Sequence, residues 1–256
     1  MEYLFICTAA FVASGLTLFS GFGLGTLLMP VFAIFFPIDV AVALTAVVHL
    51  FNNLFKLVLL GKYADRTTVI QFGLPAILAA LLGAWALLSL SDLKPLFHYQ
   101  LLSRDLQVTP VKLIVAILMI FFALFELIPK FDKLSFEKKY LPLGGILSGF
   151  FGGLSGHQGA LRSAFLIKCG LSKESFIATG VVVACLVDVT RISIYSSHFS
   201  LARGENYLLL LAAIGSAFFG ALIGNRLIKK VTMRTIQVIV AIMLFGIAGA
   251  LGTGII

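Results

Sequence analysis

Residues 153–166 read GLSGHQGALRSAFL. His157, Gln158 and Arg162 stand there among glycines and alkyl side chains. All three supply N–H donors, and they lie at the start of a short apolar segment, 159–169. A helix beginning there would point its free backbone N–H groups, and the positive end of its dipole, toward the same residues. Such an end favours an anion. Arg162, about one turn into the segment, offers a planar fork that matches an oxyanion. The competing reading pairs Arg162 with a carboxylate or lets it snorkel to an interface.

Two more sets of polar residues interrupt apolar sequence. Asp188 and Arg191 lie three residues apart within segment 174–197, on one helical face. Charge inside a membrane is costly and points to function. Asp188 then becomes a proton-coupling site, or a gate that exchanges partners with Arg162. A mutually neutralising structural pair explains the same spacing. In segment 39–60 stand His49, Asn52, Asn53 and Lys56. Amides of this kind often bond across helices, and Lys56 is expected to snorkel toward the cytoplasmic surface. Thr45 and Thr179 are expected near mid-membrane, touching substrate or their own helix backbones. His98 and His198 fall in outer loops, and Glu126 is expected to meet a basic linker.

The chain that must position these groups is 60% hydrophobic and 12% charged, with a mean hydropathy of +1.09. Soluble domains carry about twice that share of charge. The composition therefore specifies a polytopic membrane protein, and the long continuous apolar runs favour helices over a barrel. No polar stretch is long enough to fold alone. The first residues lack a basic n-region and read as a retained first helix. Cys7, Cys169 and Cys185 suggest neither a disulfide framework nor a metal site, and no motif calls for a cofactor. The net charge of +8 fits basic loops that set topology, with no role for nucleic acid.

The apolar segments run 3–20, 24–36, 39–60, 69–91, 108–128, 141–155, 159–169, 174–197, 206–228 and 233–256. Segments 24–36 and 159–169 are too short to span, and each follows a glycine-rich break, Ser20-Gly21-Phe22-Gly23 and Ser155-Gly156-His157-Gln158. Short segments beside such breaks suggest half-helices or re-entrant hairpins. Loops with Lys62 and Arg66, with Lys130 to Lys139, with Lys168 and Lys173, and with Arg226 to Arg234 fall on one side. The positive side being cytoplasmic, both termini are expected outside the cell membrane.

The chain also repeats at an offset of about 134 residues, with Ser14-Gly15 matching Ser148-Gly149 and Val47-Val48 matching Val181-Val182. Later the register slips, so that Gly83-Ala84 matches Gly220-Ala221. Each half has two short hairpin segments and three spanning segments. The odd number of crossings would make the halves inverted copies. The expected fold is thus all-α, with a first repeat at 1–130, a basic linker at 131–139 and an inverted second repeat at 140–256. Paired glycine breaks in inverted halves point to a binding site near the midplane. Glycines four apart also serve simple close packing.

At these residues the chain resembles the sulfite exporter TauE/SafE family of membrane transporters. The resemblance rests on SGFGLGTLLMPVFAIFFPIDVAVALTAVVHLFNN and on SGFFGGLSGHQGALRSAFLIKCGLSKESFIATGVVVACLVD, and it spans nearly the whole chain. The second half departs from the pattern at Gly156-His157-Gln158-Gly159, and Ala164 replaces the proline matching Pro30. The resemblance implies export or uptake of sulfite or an organosulfur anion. The substrate-binding set is then Gly21, Gly23, Gly25, Asn52, Asn53, Gly156, His157, Gln158, Gly159 and Arg162. The coupling or gating set is Asp188, Arg191, Lys56 and His49. Expected partners are a small anion, the lipid bilayer and protons as a candidate coupling ion, and a homodimer is compatible with the reading. Three competing readings remain. An anion channel would use the same half-helices. An intramembrane serine protease would use Ser155 of Gly153-Leu154-Ser155-Gly156, with His49 or His157 as base. A structural or assembly subunit leaves the polar residues unexplained.

Overall fold

A computed structural model of the chain describes residues 2–20, 23–101, 104–128, 135–198, 207–227 and 233–256. Ten α-helices appear among them, and the structure is mostly helical. Gly21, the linker residues 131–134 and the side chain of Glu126 lie outside the description.

Helices α1 (Glu2–Ser20), α2 (Leu24–Ala33), α3 (Ile38–Leu60), α4 (Arg66–Ser91) and α5 (Pro110–Leu127) form the first half. Helices α6 (Leu141–Ser155), α7 (Gly159–Leu166), α8 (Lys173–His198), α9 (Tyr207–Leu227) and α10 (Met233–Gly252) form the second. A 3₁₀ turn, Gly61–Tyr63, extends α3. The extended α3, together with α4 and α8, is long and apolar enough to cross a membrane, at 26 residues each. That length is about 39 Å of helix, more than the ~30 Å hydrocarbon core. The ten residues of α2 and eight of α7 reach only about half that thickness.

Local chemistry explains the helix boundaries. Asp65 caps α4 by accepting a hydrogen bond from the Thr68 backbone N–H at 2.8 Å. Thr109 caps α5, with Pro110 in the first turn. Gly156 ends α6 with φ of 81°, a left-handed conformation that glycine adopts without strain. Its N–H closes the last turn on the Gly152 carbonyl at 3.0 Å.

Packing inverts the usual size rule for a helix face. On α4 most buried positions are small, among them Gly73, Ala76, Ala79, Ala80, Gly83 and Ala84, with Phe72, Leu87 and Leu88 the large ones. Its bare positions are large, with Leu78 66% and Trp85 65% exposed. Large apolar side chains turned outward suit lipid, and small ones turned inward let backbones approach. Helix α6 meets this face with Gly145, Gly149 and Gly153. A methyl added at any of the three would overlap the backbone of Phe72, Ala76 or Ala80. On the other side α9 lies against α1, where Gly220 meets the Phe11 carbonyl. Helix α3 packs on α8, and α5 on α10.

One element departs from the sequence reading. Residues expected to form an outer loop make an antiparallel hairpin, β1 (Phe97–Leu101) and β2 (Arg104–Val108), with Phe97 opposite Val108. Leu106 and Val108 are buried, whereas β1 is exposed throughout. The hairpin is tied to the end of the chain: Tyr99 donates its hydroxyl to the Thr253 carbonyl. His98 is exposed on β1 as expected, while His198 ends α8, 3.9 Å from Asp92.

Candidate functional site

The two glycine breaks meet. A Cβ at Gly25 would stand 3.1 Å from the Gly156 carbonyl oxygen, and one at Gly23 would stand 3.7 Å from Gly159. The starts of α2 and α7 therefore touch, and neither is capped by its own N-cap side chain. Only residues without Cβ permit this approach at Gly25 without a shift of the opposing carbonyl. Thr45 of α3 lies against the same place, 3.8 Å from the Gly25 Cβ position. Its hydroxyl is buried and has no hydrogen-bond partner among the described residues.

A chain of polar side chains runs from this crossing into the bundle. Its centre is Asp188 on α8, which is fully buried. Oδ2 of Asp188 lies 2.6 Å from Nδ1 of His49 on α3. Oδ1 accepts from Arg191 Nε at 3.0 Å and Nη2 at 2.8 Å, and from Gln158 Nε2 at 3.3 Å. The Gln158 side-chain oxygen accepts in turn from Arg162 Nη1 at 3.4 Å. The Asn53 amide lies 3.2 Å from both ring nitrogens of His49. Arg162, Gln158, Asp188, His49 and Asn53 thus form one connected path across α7, α8 and α3.

The two arginines differ in what they do. Arg191 commits its third nitrogen, Nη1, to the Gly152 carbonyl at 3.2 Å, and Tyr195 donates its hydroxyl to the Gly153 carbonyl. Both therefore satisfy the last turn of α6, where a cation is favoured. Arg162 makes one hydrogen bond, and the rest of its guanidinium has no partner among the described residues. Its stem lies along α8 at Gly180, where a Cβ would come within 3.4 Å of Nε.

The remaining sequence candidates are placed as follows. Asn52 accepts from Ser14 at 2.8 Å, joining α3 to α1, and its amide nitrogen has no partner among the described residues. His157 stacks on Phe122 of α5 with ring centroids 5.2 Å apart. Its Nδ1 lies 3.2 Å from the Ser155 hydroxyl, and Nε2 is buried without a partner among the described residues. Ser155 donates to the Phe151 carbonyl at 3.1 Å. Ser148 donates to the Gln158 carbonyl at 3.0 Å and so anchors the break.

Two expectations are corrected. Lys56 does not snorkel: it is only 6% exposed. It lies one turn past Asn52 and Asn53, still on the stretch of α3 that packs on α8. Thr179 does not pair with its own helix. Its oxygen accepts from the Asp65 backbone N–H at 2.9 Å, a tie between α8 and the turn before α4. Cys185, which carried no role in the sequence reading, is buried on α8 one turn before Asp188. A spacing of three from Asp188 was the one signal that placed it there.

Comparison with known proteins agrees with this architecture. The chain belongs to the sulfite exporter TauE/SafE family, whose family model matches residues 6–251. It is therefore a member of a family of membrane transporters, and the family points to export of sulfite or a related anion. Curated proteins and solved structures gave no match.

Proposed function

We propose that the protein is a secondary transporter that moves a small oxyanion, sulfite or an organosulfur anion, by alternating access around a midplane site. The observation that carries this reading is the meeting of the two glycine breaks, Gly25 against Gly156, beside a buried polar path. Backbone that leaves the helix at membrane depth is tolerated where it lines a site. Two half-helix starts directed at one place favour negative charge there.

The helix contacts support two inverted repeats at 1–130 and 140–256. Helix α4 lies on α6 and α8, and α9 lies correspondingly on α1 and α3. In such a design one half rocks against the other around a fixed site. The His49–Asp188 contact crosses the interface between α3 and α8, so a rocking motion would have to preserve or break it. Breaking it while a proton binds would couple transport to pH. Loops rich in Lys and Arg place both termini outside the cell membrane in this reading. A membrane potential negative inside drives an anion outward, by about 2.3 kcal/mol per charge per 100 mV.

Thermal stability of the purified protein across a panel of anions tests the proposal. A ligand that binds only the folded state raises the melting temperature by mass action. Sulfite or another sulfur oxyanion is expected to raise it selectively, and the shift is expected to vanish in Arg162→Ala. Equal response to acetate, sulfate and sulfite, or to none of them, contradicts the proposal.

A further inference from the structure

The charged groups buried among the described residues do not balance. They are Lys56, Arg162, Arg191 and Asp188. Asp188 and Arg191 form one ion pair at 2.8 Å. That pair is complete in itself, since Arg191 spends its other nitrogen on the end of α6. Lys56 and Arg162 are left, two cations with no carboxylate between them. Arg162 keeps a single hydrogen bond to a neutral amide, and Lys56 has no hydrogen-bond or ion-pair partner among the described residues. They come from different elements, Lys56 from α3 and Arg162 from α7, but reach the same stretch of α8: the His49–Asp188 and Asp65–Thr179 contacts bracket Lys56 against the residues between Thr179 and Asp188, and Arg162 lies at Gly180. Arg162 is held toward α8 by the missing side chain at Gly180. Each is nine-tenths buried.

Two like charges kept close together inside a membrane are costly, and an unpaired buried charge costs several kcal/mol. A bundle that retains both gains only when something brings the opposite charge. Among the described residues no carboxylate contacts either cation, and a ligand is the natural source of the compensating charge. One negative charge neutralises one of the two cations and leaves the other exposed to the low dielectric. Two negative charges neutralise both.

We infer that Lys56 and Arg162 form a two-cation seat that selects dianionic sulfur oxyanions over monoanions of the same shape. This inference rests on the anion-transport reading above and specifies its substrate class. Arg162 supplies the forked contact to two oxygens, and Lys56 supplies a point charge to the third or to the terminal atom. A monoanionic sulfonate of the same shape would leave Lys56 uncompensated. Lys56 is then a specificity-determining residue, and Arg162 the residue that holds any sulfur oxyanion.

Thiosulfate and methanesulfonate test this, because they share a pyramidal SO₃ group and differ by a sulfur anion in place of a methyl. Isothermal titration of the full-length protein in detergent with each gives a ratio of affinities. The wild-type protein is expected to prefer thiosulfate by roughly tenfold or more. Lys56→Gln is expected to bring the ratio close to one, chiefly by weakening thiosulfate, and Lys56→Arg is expected to keep the preference. Equal binding of the two anions by the wild-type protein overturns the seat. So does an unchanged ratio in Lys56→Gln. If Lys56→Gln does not fold, the wild-type ratio and Lys56→Arg still decide. Absence of binding by both anions and by sulfite in the wild-type protein is a different failure, since it removes the anion-transport reading itself.

Discussion

The short helices α2 and α7 occupy matching places in the two halves, yet their sequences do different work. Helix α2 reads LGTLLMPVFA and buries Leu24, Leu28, Met29 and Phe32 in the main apolar core. Helix α7 reads GALRSAFL and carries Arg162 where the offset of the repeat puts Leu28. The break before α7 holds His157 and Gln158, while Gly23 alone precedes α2 among the described residues. One copy is scaffold, and the other is scaffold plus donors. In the proposed reading, two halves of one plan bring the glycine breaks together, and His157, Gln158 and Arg162 in the second half add the polar groups.

That comparison can be broken at several points, the largest first. Asp188→Ala strips the partner from buried Arg191 and His49. Removing one member of a buried pair typically costs about 3–5 kcal/mol, so the variant is expected to lose most of its folded yield in size-exclusion chromatography. Leu28→Ala deletes packing at the place equivalent to Arg162. It is expected to cost about 2–4 kcal/mol, read as a lower melting temperature, with anion selectivity unchanged. A selectivity change in Leu28→Ala would mean that α2 is more than scaffold. Gly149→Ala drives a methyl into the Ala76 backbone on α4. Overpacking of this kind costs about 1–3 kcal/mol. Gly170→Ala serves as its control for space, since nothing crowds that position, although φ of 71° adds strain of its own.

The smallest effect concerns the turn before α4. Hydrogen bonding to Thr68 holds the Asp65 carboxyl below the usual aspartate value. Its stabilising contribution is complete above the unfolded-state value and fades as pH falls through the lower folded-state value. Asp65→Asn keeps a capping side chain and removes the charge. Its melting temperature is expected to fall slightly below wild type near neutral pH, and the gap is expected to close below about pH 4.

Much of this molecule was legible in the sequence because membrane helices announce themselves. Segment 174–197 became α8 and segment 69–91 became most of α4, since apolar runs of that length have few other uses. The breaks at Gly23 and Gly156 were legible because glycine beside a short apolar run marks irregular backbone. The hairpin at 97–108 was not, because its strands are five residues long and one of them buries nothing. The His49–Asp188 contact joins residues 139 apart, and no local spacing encodes it. Lys56 was misplaced because a lysine near a helix end normally reaches for water. Here α3 is packed on α8 at that level and holds the ammonium inside. Arg191 was recognised as the partner of Asp188, but its second task at the end of α6 depends on a helix nearly forty residues earlier.

The most direct test of the account is sulfite flux in proteoliposomes reconstituted with wild-type protein and with Arg162→Leu, which gives α7 the residue that its counterpart α2 carries. The account predicts sulfite movement down an imposed gradient with the wild-type protein and none with the variant, at equal folded incorporation. Undiminished flux through Arg162→Leu, or no flux through the wild-type protein, would contradict it.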